Sequence, residues 1–173
     1  METANVKIPF GLAVVLSEVV ELLLHAVDAN GKVVPRKLPF RLHYRLNRNK
    51  TALDRDVKFF TEKKMYLLAK YGTITEDGKN VEIKDPEKLK KYTEEVNALI
   101  ETPVSHNIIT MEMEDLDKVT DEVAIPSEAM KLFIGYMTND DVLWDELLED
   151  IKFKIKTDAF EEGIKVDTEV SVS

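Results

Sequence analysis

The sequence predicts an α+β protein that is mostly helical. Its centre is a long antiparallel helical hairpin with a small β-hairpin between the arms, joined by a short strand and C-terminal helices. Three observations lead there. After Pro39, no glycine or proline interrupts an apolar pattern of near-helical period as far as Tyr71. An Asp77-Gly78 turn dipeptide lies between two short runs that follow. Asp85-Pro86 then opens a second amphipathic run, which Pro103 closes. A chain of 173 residues suits one domain with an appendage. The expected division is a helical-hairpin domain over residues 1–137 and an acidic helix with an extension over residues 138–173. The hairpin arms fall at about 39–71 and 86–101, with the β-hairpin at about 73–84.

Taken in order, Gly11 to Ala26 has helical spacing. Leu12, Val15, Leu16, Val19, Val20, Leu23 and Leu24 recur at steps of three and four, with Ser17, Glu18 and Glu21 opposite. The pairs Val14-Val15 and Val19-Val20 are β-branched, so a strand is an alternative for part of this run. Asp28-Ala29-Asn30-Gly31 ends it, because Asn-Gly readily supplies positive φ. A calcium loop would need further oxygen ligands and a terminal Glu, whereas Lys32, Val33 and Val34 follow.

The long run uses Leu42, Leu46, Leu53, Val57, Phe60, Leu67 or Leu68, and Tyr71, with Asn49 or Lys50 and Lys64 weakening the stripe. Pro39 fits its start and Gly72 its stop. At 1.5 Å per residue such a helix would be about 45–50 Å long, more than a small globule covers along its whole length. A protruding hairpin is therefore expected. In its returning arm, Leu89, Tyr92, Val96 and Leu99 form a two-heptad seam. Asn107 to Met113 alternates apolar and polar residues and predicts a strand. Helices are predicted after Pro126-Ser127, through Ala129 to Met137, and again from Asp141 to Ile151. Lys152 to Ser173 alternates in places, as an added strand or a loose tail would. Met111, Met113, Met130, Met137, Phe133, Tyr136 and Trp144 form either a core at the hairpin's base or an adaptable contact surface.

Composition narrows the chemistry. With 24 Lys plus Arg against 33 Asp plus Glu, the chain carries −9, which disfavours non-specific binding to nucleic acid or anionic membrane. The absence of cysteine removes disulfides, thiolate nucleophiles and Cys-based zinc sites together. His25, His43 and His106 have no paired spacing and fit packing or surface positions better than ligand or base roles. No phosphate-loop, dinucleotide, zinc-protease or nucleophile-elbow motif is present. No enzymatic activity and no cofactor is therefore expected. The apolar run Ile8 to Val27 is broken by Pro9, Gly11, Glu18, Glu21 and His25, which makes a poor membrane span and a poor targeting signal. A soluble protein of the cytoplasm is the expectation.

Charge is segregated instead. Between Asp28 and Asp54 no acidic residue occurs, while Lys32, Arg36, Lys37, Arg41, Arg45, Arg48 and Lys50 are basic. Arg41, Arg45 and Arg48, at i, i+4 and i+7, should line one helical face beside His43 and Tyr44. Two acidic runs answer them. One holds Glu112, Glu114, Asp115, Asp117, Asp121 and Glu122; the other holds Asp140, Asp141, Asp145, Glu146, Glu149 and Asp150. Such carboxylates can be solvated faces, hold Mg²⁺ or Ca²⁺, or imitate nucleic-acid phosphates. Asp140 and Asp141 also suit a helix N-terminus.

The segment order resembles a family of small uncharacterised coiled-hairpin proteins encoded by tailed phages and prophages. The resemblance rests on Lys7-Ile8-Pro9, then Leu46, Arg48-Asn49, Leu53, Asp54, Lys58 and Leu67 to Gly72. It continues through Asp77-Gly78-Lys79, Val96 to Val104, and Met113 to Leu116, placed on a strand. It covers about Lys7 to Met137, and that family has no assigned activity to carry over. Together these features lead to a non-enzymatic interaction module in a bacterial host's cytoplasm or on a virion. The expected partner is a phage or host protein, or a second copy of the chain, with Arg41, Arg45, Arg48, Asp140, Asp141, Asp145 and Glu146 at the contact. Inhibition of host defence by acidic mimicry is its sharper form. The alternative is a nucleic-acid-associated protein using the arginine face.

Overall fold

The computed structural model describes residues 3–120, 125 and 127–138. These residues are mostly helical, with three two-stranded antiparallel sheets among them. β1 (Thr3–Pro9) runs directly into α1 (Phe10–Leu24). The β-branched residues do not pull α1 into a strand, because Val19 and Val20 lie on its buried side with Leu12, Leu16 and Leu23. β2 (His25–Val27) and β3 (Val33–Pro35) pair across the Asp28–Gly31 turn. Gly31 has φ 77°, and the Asp28 carboxylate accepts the amides of Asn30 at 2.8 Å and Lys32 at 2.9 Å. The turn reading thus has a physical basis: an Asx loop closed by a residue free to adopt positive φ.

α2 (Phe40–Tyr71) has 32 residues, with Pro39 as its N-cap. Its buried positions, Leu42, Arg45, Leu46, Asn49, Leu53, Asp56, Phe60 and Leu67, keep helical spacing even where the residue is polar. β4 (Thr73–Ile74) and β5 (Val81–Glu82) follow, with Gly78 at φ 69° in the intervening turn. Gly72, at the end of α2, has a different constraint. A Cβ there would fall 2.4 Å from Val81 Cγ1 and 2.8 Å from the Glu82 and Leu68 carbonyls, so only glycine lets β5 approach. α3 (Pro86–Glu101) starts as expected, with the Asp85 carboxylate accepting the Glu87 amide at 2.9 Å.

β6 (Pro103–Ile109) differs from the expected Asn107–Met113 strand, and Met113 instead begins α4 (Met113–Thr120). The Met113–Leu116 motif is therefore helical. β6 starts at Pro103 because β1 supplies a partner through the whole register, from Thr3 opposite Ile109 to Pro9 opposite Pro103. Two prolines, neither with an N–H to donate, face each other where the ladder stops. α5 (Ser127–Met137) begins at the predicted serine. The helix expected at 141–151 and the stretch 152–173 lie outside the described residues.

Two apolar clusters hold these elements. The first joins α1, the early part of α2, β6, α4 and α5 through residues such as Leu16, Leu46, Ile108, Leu116 and Phe133. Met111 and Met137 are buried in it, and Met113, Met130 and Tyr136 pack against it, which gives the late methionines their core role. The second joins Phe10 to Phe60 and Leu67 of α2, Ile83, and Tyr92, Val96 and Ile100 of α3. Among the described residues, no helix is long and apolar enough to cross a membrane.

Candidate interaction face

The first turns of α2 present the candidate face. At about 100° per residue, Arg41 and Arg48 fall within about 20° of each other around the axis, with Phe40 and Tyr44 next to them. Phe40 is 83% exposed, and its ring stacks on that of Tyr44 with centroids 6.4 Å apart. Arg41 and Arg48 are exposed, and neither has an ion-pair partner among the described residues. The face therefore combines an aromatic platform with two exposed guanidinium groups. The first turn of α2 also lacks an acidic residue and a side-chain cap, which leaves the positive end of its dipole uncancelled.

Arg45, expected on the same exposed row, is not there. It lies about 40° further round than Arg41, toward Leu42 and Leu46. Arg45 is only 5% exposed, and Nη1 stands 3.7 Å from Asp115 Oδ2 on α4. One residue of the first acidic run thus neutralises one residue of the basic tract within the fold. Two further bases have structural roles. The Arg36 Nε–H is directed at the carbonyls of Leu22 and His25, each 3.1 Å away, and the Arg36 amide donates to Leu24, so this residue closes the end of α1. Lys50 bridges Glu21 at 3.3 Å and Asp54 at 3.0 Å. Burial opposes the charge on Lys50, but the hydrogen bonds and charges of Asp54 and Glu21 outweigh it and raise its pKa above the ordinary lysine value. Lys32, Lys37, Arg41 and Arg48 remain exposed. Asp140, Asp141, Asp145 and Glu146 lie outside the described residues.

The Lys50 bridge belongs to a wider polar seam between α1 and α2. Ser17 donates to Asp54 at 2.8 Å, and His25 meets Glu21 at 2.8 Å. A hydroxyl, a carboxylate and an imidazole in one network invite a catalytic reading, yet their order argues for a clasp. Ser17 bonds a carboxylate whose same oxygen also takes the Lys50 ammonium. His25 reaches Glu21, not Ser17. A second buried pair joins β6 to α2, with His106 Nδ1 3.4 Å from Asp56 Oδ2. His106 is only 3% exposed, so it is a packing residue of the ribbon, as its sequence setting allowed.

Sequence reasoning missed Asn49, which appeared only as a flaw in the apolar stripe. Its side chain is 0% exposed and grips Ile109 from both sides. Nδ2 donates to the Ile109 carbonyl at 2.9 Å, and Oδ1 accepts the Ile109 amide at 2.8 Å. Nδ2 also lies 3.3 Å from Met137 Sδ, at the end of α5. Asn49 thus pins β6 and α5 to the turn of α2 that carries Arg48. An uncharged amide inside an otherwise apolar stripe was the available signal, since a buried amide needs backbone partners. No protein-family model, curated protein or solved structure matches the chain.

Proposed function

We propose that this chain is a non-enzymatic protein-interaction module of the phage- or prophage-encoded kind it resembles. It binds an acidic protein partner through Phe40, Arg41, Tyr44 and Arg48. The observation that carries the reading is the exposed, stacked aromatic pair beside two arginines that the described fold leaves without partners. Aromatic and arginine side chains are the residue types that most often dominate interface energetics. Arg36, Arg45 and Lys50 of the same tract have structural partners, so the tract is not a uniformly charged surface. A virion component or a host factor, including one of host defence, would supply the acidic surface in the bacterial cytoplasm.

The test is an affinity pull-down of the wild type and of Arg41→Glu/Arg48→Glu from a bacterial host, with and without infection, read by mass spectrometry after nuclease treatment. A stoichiometric protein lost with the charge reversal, while the far-UV spectrum and melting temperature stay unchanged, is the expected result. Equal recovery by both forms would remove the face from the contact. Recovery of nucleic acid that survives only without nuclease, and that falls steeply with salt, would replace the reading with nucleic-acid binding.

A further inference from the structure

The described chain ends against the turn of α2 that carries Arg48, on its buried side. Met137 closes α5 with its carbonyl accepting the Met111 amide at 2.8 Å and its sulfur 3.3 Å from Asn49. Asn49 follows Arg48 directly and is one turn from Arg45. The acidic tract begins two residues beyond Thr138 and carries six carboxylates with no base between Asp140 and Asp150. Its sequence steps Asp141, Asp145 and Glu149 at intervals of four. Seven residues from Thr138 to Asp145 span up to about 23 Å, while Asn49 to Arg41 is a rise of about 12 Å. In extended form the chain is therefore long enough to pass from Asn49 to Arg41. The first acidic run already sets the precedent, since Asp115 reaches Arg45.

From the position of the chain's exit, its length and the charge complementarity, we propose that the acidic segment Asp140–Asp150 docks in cis on the Arg41–Arg48 face. It then acts as an intramolecular stand-in for the external acidic partner. This rests on the interaction reading above and adds its regulation: the face is self-covered until a better acidic ligand displaces the segment. A short tether gives the segment an effective concentration in the millimolar range. An external ligand with comparable contacts must outcompete that concentration, and its apparent affinity falls by the fraction of chains that are covered. The device makes the module selective for a partner that offers more than charge, for which the Phe40–Tyr44 platform is available.

The probe is a fluorescein-labelled peptide of residues 139–151, titrated by anisotropy into the full chain at low salt. Three forms are compared: the wild type, the neutralised form Asp140→Asn/Asp141→Asn/Asp145→Asn/Glu146→Gln, and the neutralised form that also carries Arg41→Glu/Arg48→Glu. The neutralised chain should bind the peptide at least about tenfold more tightly than the wild type, as removal of a millimolar internal competitor requires. The charge-reversed form should not bind it. Equal affinity of the wild type and the neutralised chain overturns the self-covering, as does a peptide that binds neither. A concentration-dependent dimer in sedimentation that neutralisation dissolves also overturns it, in favour of the same contact between two copies. Because the pull-down reads the external partner, loss of that partner on Arg41→Glu/Arg48→Glu would uphold the interaction reading even where the peptide result removes the cis cover.

Discussion

Replacing Asn49 by alanine tests the link between the candidate face and the rest of the fold. Alanine keeps α2 helical, since it has the highest helix propensity, and removes only the amide. Two backbone groups of Ile109, an N–H and a C=O, then lose their partners inside a core where Asn49 is 0% exposed. Each buried, unpaired polar group costs about 1–3 kcal/mol, so a total loss near 3 kcal/mol is expected after partial relaxation. For a chain of this size that lowers the melting temperature by about 6–12 °C. Thermal and urea unfolding followed by circular dichroism measure the loss. Hydrogen exchange at the Ile109 amide locates it, because protection there should fall more than at Ile108. Asn49→Asp should also destabilise, since it keeps an acceptor for the amide but turns a second acceptor toward the carbonyl. A loss below about 1 kcal/mol with the Ile109 amide still protected would refute the claim that Asn49 anchors β6 to α2.

Three further outcomes follow from single contacts. Gly72→Ala should destabilise by about 1–3 kcal/mol in urea unfolding, because the added methyl meets the Glu82 carbonyl of β5 and the Leu68 carbonyl in the last turn of α2, neither of which moves without loosening its element. Asp115→Asn should cost about 1–3 kcal/mol by leaving the buried Arg45 guanidinium uncompensated, and Arg45→Met in the same chain should recover part of it. A double-variant loss equal to the sum of the losses of Asp115→Asn and Arg45→Met alone would show that the pair is not coupled. The Glu95 pKa is lowered by its hydrogen bonds from Lys70 and then Tyr71, so the folded form holds the charged carboxylate more tightly than the unfolded chain does. That contribution is present above the ordinary glutamate range and is lost as pH falls through the lowered folded value. A carboxyl NMR titration should place the Glu95 midpoint below the ordinary glutamate value, and Glu95→Gln should flatten the acid limb of stability.

The parts of the fold that were legible share one property: their determinants are close in sequence. Gly31 and Gly78 sit in their turns at positive φ, the Asp85 carboxylate caps α3, and α2 runs from beside Pro39 to Tyr71 because each signal acts within a turn or two. The β1–β6 ribbon was not legible because its partners are about a hundred residues apart, although Val6 and Ile8 do alternate with Asn5 and Lys7. The same distance explains the misplaced strand at Asn107–Met113. Alternation alone could not say that β1 would recruit the backbone from Pro103 onward, or that Met113 to Thr120 would close over the core as a helix. Within the candidate site, helical spacing placed Arg41 and Arg48 together. It could not reveal that Arg45, one small rotation away, would meet Asp115.

That small rotation separates two kinds of basic residue in a tract that looks uniform on paper. Arg36 is bound to the end of α1 and Arg45 faces a carboxylate, whereas Arg41 and Arg48 are exposed beside an aromatic stack and have no ion-pair partner among the described residues. If the tract were one undivided electrostatic patch, removing any of its arginines would weaken partner binding by a similar amount and leave stability alone. The geometry requires a split. Arg36→Ala should cost about 1–2 kcal/mol of stability, because it strips a charged, part-exposed donor from the Leu22 and His25 carbonyls, with little change in affinity at temperatures where the chain stays folded. Arg41→Ala and Arg48→Ala should leave unfolding within about 0.5 kcal/mol of wild type, as exposed positions do, and should weaken partner binding with additive effects on its salt dependence. Urea unfolding and calorimetric titration of the captured partner read the two axes separately. Binding losses of equal size at Arg36 and Arg41 would mean that recognition reads only the tract's total charge, and the aromatic–arginine face would then have no special role.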